Sequence, residues 1–333
     1  MTRRAPSRRR LALASGVLLL TALTACGGGA SGGSSTPGGG TPGGTVQGTG
    51  STGPAPHVMV IVMENQEYSD VIGHAGTAPY INQLAGQYGL ATDYHARTHP
   101  SLPNYIDLIA GSTMSISGDC TDCSTDGDTL VDQLAKKSIH WTAYMENMPQ
   151  PCALDAYYPS STTTEYAKKH NPFIYFDHLR TDPTACQNIV PYTQFAADLK
   201  GSDPSPFMWI TPSLCDDGHN TEAGCGLGGA DRWLANNLPP ILASSWYAQN
   251  GIVVVTWDEG SSNAACCGGA HGGKVATLVI SKSVKAGARL DTPVAHTGLL
   301  RTIEAIYGLD YLRTAADPQS GDLMPLLGRQ RTF

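Results

Sequence analysis

Two carboxylates stand together at Asp258-Glu259, directly after the apolar run Ile252-Val253-Val254-Val255. A carboxylate and an amide, Glu64-Asn65, follow a second apolar run, Val58-Met59-Val60-Ile61-Val62-Met63. Oxygen donors of these types suit one hard divalent cation such as Mg, Ca or Mn. If the two places converge, three carboxylates without a cation would repel one another. One such pair alone reads as a solvated turn; the second pair, at a second run, points to metal chemistry. A third piece is Thr98-His99-Pro100-Ser101-Leu102-Pro103-Asn104-Tyr105. Ser101 can cap a helix beginning at Leu102, with Pro103 tolerated in the first turn. The same position places a hydroxyl where backbone N–H groups and the helix dipole favour an anion such as phosphate. A neighbouring cation would lower the pKa of that hydroxyl and make it a nucleophile. Asp217 lies two positions before His219 and could orient its imidazole for general-acid or phosphate-binding work. His271, in Gly268-Gly269-Ala270-His271-Gly272-Gly273, has glycines that allow close backbone approach to a ligand or form only a loop. His296 precedes a helix and can cap it; His74, His95 and His99 carry no assignment.

A frame must gather these residues. Continuous apolar runs at 58–63, 139–145, 207–211, 251–257 and 276–281 read as strands buried on both faces. Helical patterns lie between or beyond them at 80–88, 102–110, 129–136, 192–199, 231–243 and 297–307. Alternation of the two kinds predicts an α/β fold with a mostly parallel central sheet flanked by helices. Ligand groups in such sheets collect at the carboxyl ends of strands. Three strand ends carry candidates: Glu64-Asn65, the stretch through Asp216, Asp217 and His219, and Asp258-Glu259. Met63-Glu64-Asn65 recurs as Met145-Glu146-Asn147, which is taken as coincidence. No composition break follows Pro56, so residues 57–333 are expected to form a single domain.

The first 56 residues differ in kind. Five arginines within Met1–Arg10 precede an apolar run, Leu11 to Ala25, that ends in Leu23-Thr24-Ala25-Cys26. This is the layout of a secretory signal over 1–25, too short for a stable membrane span. Its end resembles the lipobox of bacterial lipoproteins, which implies acylation at Cys26. Ser7-Arg8-Arg9 also fits twin-arginine export. Residues 26–56 are almost wholly Gly, Ser, Thr and Pro, a flexible tether. The expected product is exported, anchored to a membrane through Cys26 or released by cleavage. Removing the signal takes five positive charges and no negative one, moving the net charge from −7 to −12. An acidic body with no Lys/Arg cluster excludes nucleic acid as a partner, and a monomer is expected. Apart from Cys26, eight cysteines remain, an even number that suits an oxidising compartment. Candidate local pairs are Cys120–Cys123, Cys152–Cys186 and Cys215–Cys225, and Cys266–Cys267 could close a vicinal bridge; spacing alone leaves the connectivity open. A zinc site at Cys120-x-x-Cys123 would need a second such pair, which is missing.

Val62-Met63-Glu64-Asn65, Thr98 to Tyr105, His170-Asn171-Pro172-Phe173, Asp217-Gly218-His219, Thr256 to Gly260 and His296 to Glu304 together resemble the bacterial phosphoesterase family. That family includes secreted acid phosphatases and phospholipases C with an alkaline-phosphatase-like fold. The chain looks most like its short actinobacterial acid phosphatases, including those acting on phosphatidylinositol 3-phosphate. The resemblance covers nearly all of residues 57–310, in order. It implies Glu64, Asn65, Asp258 and Glu259 as metal ligands. Ser101-Leu102-Pro103-Asn104 with Leu108-Ile109-Ala110-Gly111 is also similar to the nucleophile stretch of nucleotide pyrophosphatases. That match implies Ser101 as nucleophile and metal ligand, with Thr98 as runner-up. Phosphate contacts are expected from His170, Asn104 and His271. A sulfatase would carry Arg where Tyr105 stands. The expected reaction is hydrolysis of a phosphate monoester, on a small molecule or lipid headgroup, through a phosphoserine. The larger phospholipases of the family continue into C-terminal domains, an expectation that favours monoesters here. The alternatives are a phosphodiesterase or phospholipase C, and a surface lipoprotein that binds phosphorylated ligands without turnover.

Overall fold

The computed structural model describes residues 56–163 and 165–329; the signal segment, Cys26 and all of the tether but Pro56 lie outside the described residues. A nine-stranded sheet runs through the core. Its strands are β1 Val58–Met63, β2 Gly89–His95, β3 Trp141–Met145, β4 Ile189–Pro191, β5 Phe207–Thr211, β6 Ile252–Trp257, β7 Lys274–Ser281, β8 Arg289–Leu290 and β9 Val294–Ala295. The spatial order is β8-β2-β7-β6-β1-β5-β3-β4, with β9 also on β2. All pairings are parallel except the two made by β7. Central β1 and β6 are buried along their whole length. Helices cover both faces of such a sheet, so its strands have no polar side and read as unbroken apolar runs.

The principal helices are α1 Pro79–Gln87, α2 Ser101–Ala110, α3 Leu130–Lys136, α4 Gly226–Leu242 and α5 His296–Tyr307. They pack in two groups: α2 with α3 and α5, and α1 with α4. The α4 residue Asp231 accepts from the Tyr80 and Ile81 N–H groups, closing the N-terminus of α1 from outside. Helix α2 is buried over all ten residues. It ends at Gly111 with φ 68°, where a Cβ would lie 2.4 Å from the Leu312 carbonyl oxygen, so only glycine fits.

Several expectations shift. The strand Gly89–His95 was not predicted, because Thr92 and Asp93 interrupt its apolar run, and its pairing with β7 slips between Ala91 and Tyr94. The pattern at 192–199 divides into a 3-10 turn, Tyr192–Gln194, and a short helix, Phe195–Asp198. Helix α4 begins five residues earlier than expected and carries Pro239 and Pro240 near its end. The four candidate cysteine pairs all form: Cys120–Cys123, Cys152–Cys186, Cys215–Cys225 and Cys266–Cys267. Oxidised Cys120 and Cys123 offer no thiolates, which removes the zinc alternative. Among the described residues no helix is long and apolar enough to cross a membrane.

Candidate active site

The parallel register decides which residues meet. Met63 pairs with Trp257, so Glu64 and Asp258 leave adjacent strands at one level. The Asp258 N–H donates to the Met63 carbonyl and the Glu64 N–H to the Asp217 carbonyl, each at 2.9 Å. The ends of β1 and β6 and the loop after β5 thus share one rim. Asn65 turns the chain with φ 37°. Its N–H donates to Asp258 Oδ1 at 3.1 Å and its side-chain amide to Glu259 Oε1 at 3.2 Å.

Ser101 opens α2, and its Oγ lies 3.1 Å from both Glu64 Oε2 and Glu259 Oε1. One hydroxyl proton can serve only one of them at a time. Pro100, not Ser101, is the N-cap, and no side chain of its own caps the helix. The expected capping role is therefore replaced by contact with two carboxylates, while Asp119 accepts from the Leu102 N–H at 3.0 Å. Asn104 fixes the approach to Ser101. Its Oδ1 accepts from the Thr98 N–H, and its amide donates to the Thr98 and Pro100 carbonyls. Those bonds occupy the side chain as a brace for the 98–100 turn, one residue type the sequence assigned to phosphate.

His170 lies buried against the same carboxylates, with Nε2 3.1 Å from Glu64 Oε1 and Nδ1 3.5 Å from Asp217 Oδ2. Its ring stacks on Tyr105, and the His219 ring is 5.9 Å away. Asp217 accepts from the backbone N–H of His219 at 2.7 Å, so it faces His170 rather than the His219 imidazole. An open cleft of about 470 Å³ adjoins the rim, lined by Asn65, His99, Pro100 and Glu259 among others.

The family model named Phosphoesterase family matches residues 74–310. The chain belongs to that family. It is 28% identical over 236 residues to the phosphate-repressible acid phosphatase of Penicillium chrysogenum, covering 70% of this chain and 55% of that one. It is also 28% identical over 257 residues to the phosphatidylinositol-3-phosphatase of Mycobacterium tuberculosis, covering 76% and 77%. The chain spans little more than half the length of the fungal relatives it matches. A solved protein of the alkaline phosphatase superfamily from Vibrio parahaemolyticus superposes with TM-score 0.55 at 14% identity, over 82% of this chain and 70% of that one. At that identity the likeness speaks for the fold, and it agrees with the predicted architecture.

For this member of the Phosphoesterase family, the electrostatics of the rim are severe. Burial, then neighbouring Asp217, pushes the Glu64 carboxyl well up. Burial, then Glu64 and Glu259, does the same to Asp258. Asp217 is raised chiefly by burial and Glu259 likewise, the latter opposed by His99. Burial drives the His170 imidazole well down. Four carboxyls stay held up together, beyond what the charges of Lys169 and His99 offset. As the side chains stand, no three His, Cys, Asp or Glu donors among the described residues gather at metal-holding distance; they bond to one another through Ser101 and Asn65. Yet Asn65 Oδ1 and Asp258 Oδ2 are buried with no hydrogen-bond partner among the described residues. Unpaired buried oxygens beside crowded carboxylates are the donor set a hard cation fits.

Thr98 Oγ1 meets His271 Nε2 at 3.1 Å, and His271 is otherwise exposed with Nδ1 near the Gly269 carbonyl. His296 is buried, its Nε2 on the Asp258 carbonyl and Nδ1 on the Tyr94 hydroxyl, so it holds a strand end and does not cap α5. Two residues escaped the sequence reading. His99 bonds Glu259 Oε2 through Nδ1 and the Ser262 carbonyl through Nε2. Glu67 accepts from the Ser261, Ser262 and Lys274 N–H groups and the Ser262 hydroxyl, clamping the loop after Glu259. Glu67 lies three residues beyond Glu64, and that proximity was the available signal. Glu146, in the repeated Met-Glu-Asn, accepts from the Ser213 N–H and the Trp233 indole. Asn147 shares the positive φ of Asn65. The repeat is thus a common strand-end turn, with the carboxylate cluster and Ser101 at one copy and bracing bonds at the other.

Proposed function

We propose that this chain is an exported, metal-dependent phosphomonoesterase that uses Ser101 as nucleophile. The observation that carries the reading is the Ser101 hydroxyl, 3.1 Å from carboxylates on two different strand ends, at the first residue of a ten-residue helix. Glu64, Asn65, Ser101, Asp258 and Glu259 would hold the cation, which when bound supplies positive charge that acidifies a hydroxyl and offsets phosphoryl oxygens. Ser101 Oγ would attack phosphorus while Glu64 or Glu259 takes its proton. The Oγ–P bond forms as the bond to the leaving alcohol breaks, giving a phosphoserine. His219 would protonate the leaving oxygen. His170 and the N–H groups opening α2 would meet the phosphoryl oxygens. Water would then hydrolyse the phosphoserine to free phosphate and restore Ser101.

The names of the relatives support a monoester, either a small molecule or a lipid headgroup such as phosphatidylinositol 3-phosphate. The test compares para-nitrophenyl phosphate with para-nitrophenyl phosphorylcholine, for wild type and Ser101→Ala, with and without chelator. Chelator-sensitive, Ser101-dependent release from the monoester supports the reading. Preference for the choline diester moves the chain to phospholipase C chemistry. No turnover of either by folded, metal-supplied protein leaves a phosphate-binding lipoprotein anchored at Cys26. Detergent-phase partition of the mature chain tests that anchor.

A further inference from the structure

Lys169 and Asp119 form a pair that the reaction outlined above does not use. Lys169 immediately precedes His170 in a 3-10 turn, and its Nζ donates to Asp119 Oδ2 at 2.8 Å. The other oxygen of the same carboxylate accepts from the Leu102 N–H, in the first turn of the Ser101 helix. One carboxylate therefore bridges an ammonium attached to the His170 turn and an N–H attached to the nucleophile helix. Those are the two kinds of donor that a phosphate would seek beside Ser101. The neighbouring Lys168 is spent elsewhere, on the Thr121 carbonyl and over the Tyr175 ring.

An exposed Lys–Asp contact would carry little weight. This one is different in place. The Lys169 side chain is only 17% exposed and that of Asp119 27%. Lys169 also acts on the reacting centre through its charge. It opposes the rise of the Glu64 and Asp217 carboxyls, and after burial it is the next cause holding His170 and His219 down. The His170 Nε2 atom lies buried in the same neighbourhood, 3.1 Å from Glu64 Oε1. Asp119 is itself anchored, since the next residue is Cys120, bonded to Cys123 and accepting from the Tyr175 hydroxyl through its carbonyl.

We propose that Lys169 is a phosphate-binding residue, and that Asp119 is an internal anion which the substrate phosphate displaces from Lys169 and from the Leu102 N–H. The proposal rests on the phosphomonoesterase reading and adds a basis for selectivity. A monoester dianion brings two negative charges to replace one carboxylate. A diester monoanion brings one and gains nothing from the exchange. Lys169 thereby favours monoesters.

The test uses the full chain with Lys169→Met, Lys169→Arg and Asp119→Asn. The two para-nitrophenyl esters are assayed for kcat and KM, and inorganic phosphate binding is measured by calorimetry. Removing a charged phosphate contact in Lys169→Met should lower monoester kcat/KM about 100-fold while diester turnover changes less than about 3-fold. Phosphate affinity should fall at least about 10-fold, and Lys169→Arg should restore most of it. Asp119→Asn keeps Lys169 in place and removes the competing anion, so phosphate affinity should rise about 3-fold or more. Equal losses on both esters, or unchanged phosphate affinity in Lys169→Met and Asp119→Asn, would show a structural ion pair and overturn the proposal. If wild type hydrolyses neither ester, the phosphatase reading fails, and the calorimetry still decides whether Lys169 binds phosphate.

Discussion

The Tyr105 hydroxyl donates to Glu64 Oε1 at 2.6 Å. Tyr105 stands one turn after Ser101 on α2, so the helix that presents the serine also holds the carboxylate facing it. With the other Glu64 oxygen on Ser101 Oγ, one helix holds both oxygens of the carboxylate. Replacing Tyr105 by Phe keeps the stacking on His170 and removes only this donor. Loss of such an outer hydrogen bond to a metal-type ligand should raise the metal concentration for half-maximal activity about 10- to 100-fold. Metal titration of para-nitrophenyl phosphate hydrolysis reads it. An unchanged titration curve would mean that Glu64 is positioned without Tyr105.

Two buried carboxyls away from the rim set a pH dependence of stability. Asp107, on α2, has no hydrogen-bond partner for either oxygen among the described residues, and burial raises it to about 7. Burial raises Glu304, on α5, to about 8. In each case the folded state binds its proton more tightly than the unfolded chain does. The contribution of each to stability is then greatest below pH 4 to 5 and declines as pH rises to 7 or 8. For Asp107 the full span is on the order of 4 kcal/mol. Asp107→Asn should flatten the decline over that window, with little change at pH 4. Urea melts of wild type and variant at pH 4, 6 and 8 measure this. Parallel curves would show that Asp107 is ionised in the fold.

Glu67 makes a different kind of prediction. Its carboxylate holds the Ser261 and Ser262 N–H groups and the Ser262 hydroxyl of the loop that follows Glu259, and the Lys274 N–H that opens β7. A Cβ on Gly260 would lie 2.4 Å from Glu67 Oε2, so the loop closes directly over the carboxylate. Glu67→Ala leaves several donors unpaired and should destabilise the fold by about 2–4 kcal/mol. Limited proteolysis should then cut first within 260–273. Cleavage elsewhere, with an unchanged melt, would remove Glu67 from this role.

The disulfide Cys152–Cys186 spans 34 residues and ties the chain near the end of β3 to the start of β4. Closing a loop of that length restricts the unfolded chain by about 3–4 kcal/mol in the chain-entropy account. The double replacement Cys152→Ser with Cys186→Ser should lower the melting temperature accordingly, while Ser101-dependent turnover at low temperature is retained. Loss of turnover without loss of stability would instead place that loop in the site.

The central strands were legible because burial on both faces leaves no polar residue to disguise them: β1 and β5 have the predicted bounds, and β6 begins one residue later. The carboxyl-end rule directed attention to one rim: parallel register sets Glu64 beside Asp258-Glu259, and the loop after β5 brings Asp217 to Glu64. Strand β2 was hidden by Thr92 and Asp93, whose polarity belongs to the outer part of the sheet. Contacts across long separations were beyond reading. His99 meets Glu259 across 160 positions and Glu67 meets Ser261 across 194. Asp217 looked like the orienter of His219 because they are two residues apart. The backbone gave that carboxylate the His219 N–H and turned it toward His170.

The leaving-group proton supplies the last test. His219 is half-buried, and burial followed by the positive charge of Lys169 holds its imidazole below the ordinary histidine value of 6.5. An acid must carry its proton to give it away. Hydrolysis assisted by His219 should therefore be full at low pH and fall as pH rises through a value below 6.5. Para-nitrophenolate leaves without much help, whereas an alkoxide such as glycerol's needs the proton. The ratio of glycerol phosphate to para-nitrophenyl phosphate turnover should thus fall with rising pH. His219→Gln should lower glycerol phosphate turnover about 100-fold and the nitrophenyl ester less than about 10-fold. Because Lys169 is the second cause of the depressed value, Lys169→Met should move the fall in that ratio to higher pH. A ratio independent of pH, with equal losses on both esters in His219→Gln, would make His219 a phosphate contact and leave the leaving-group proton to water.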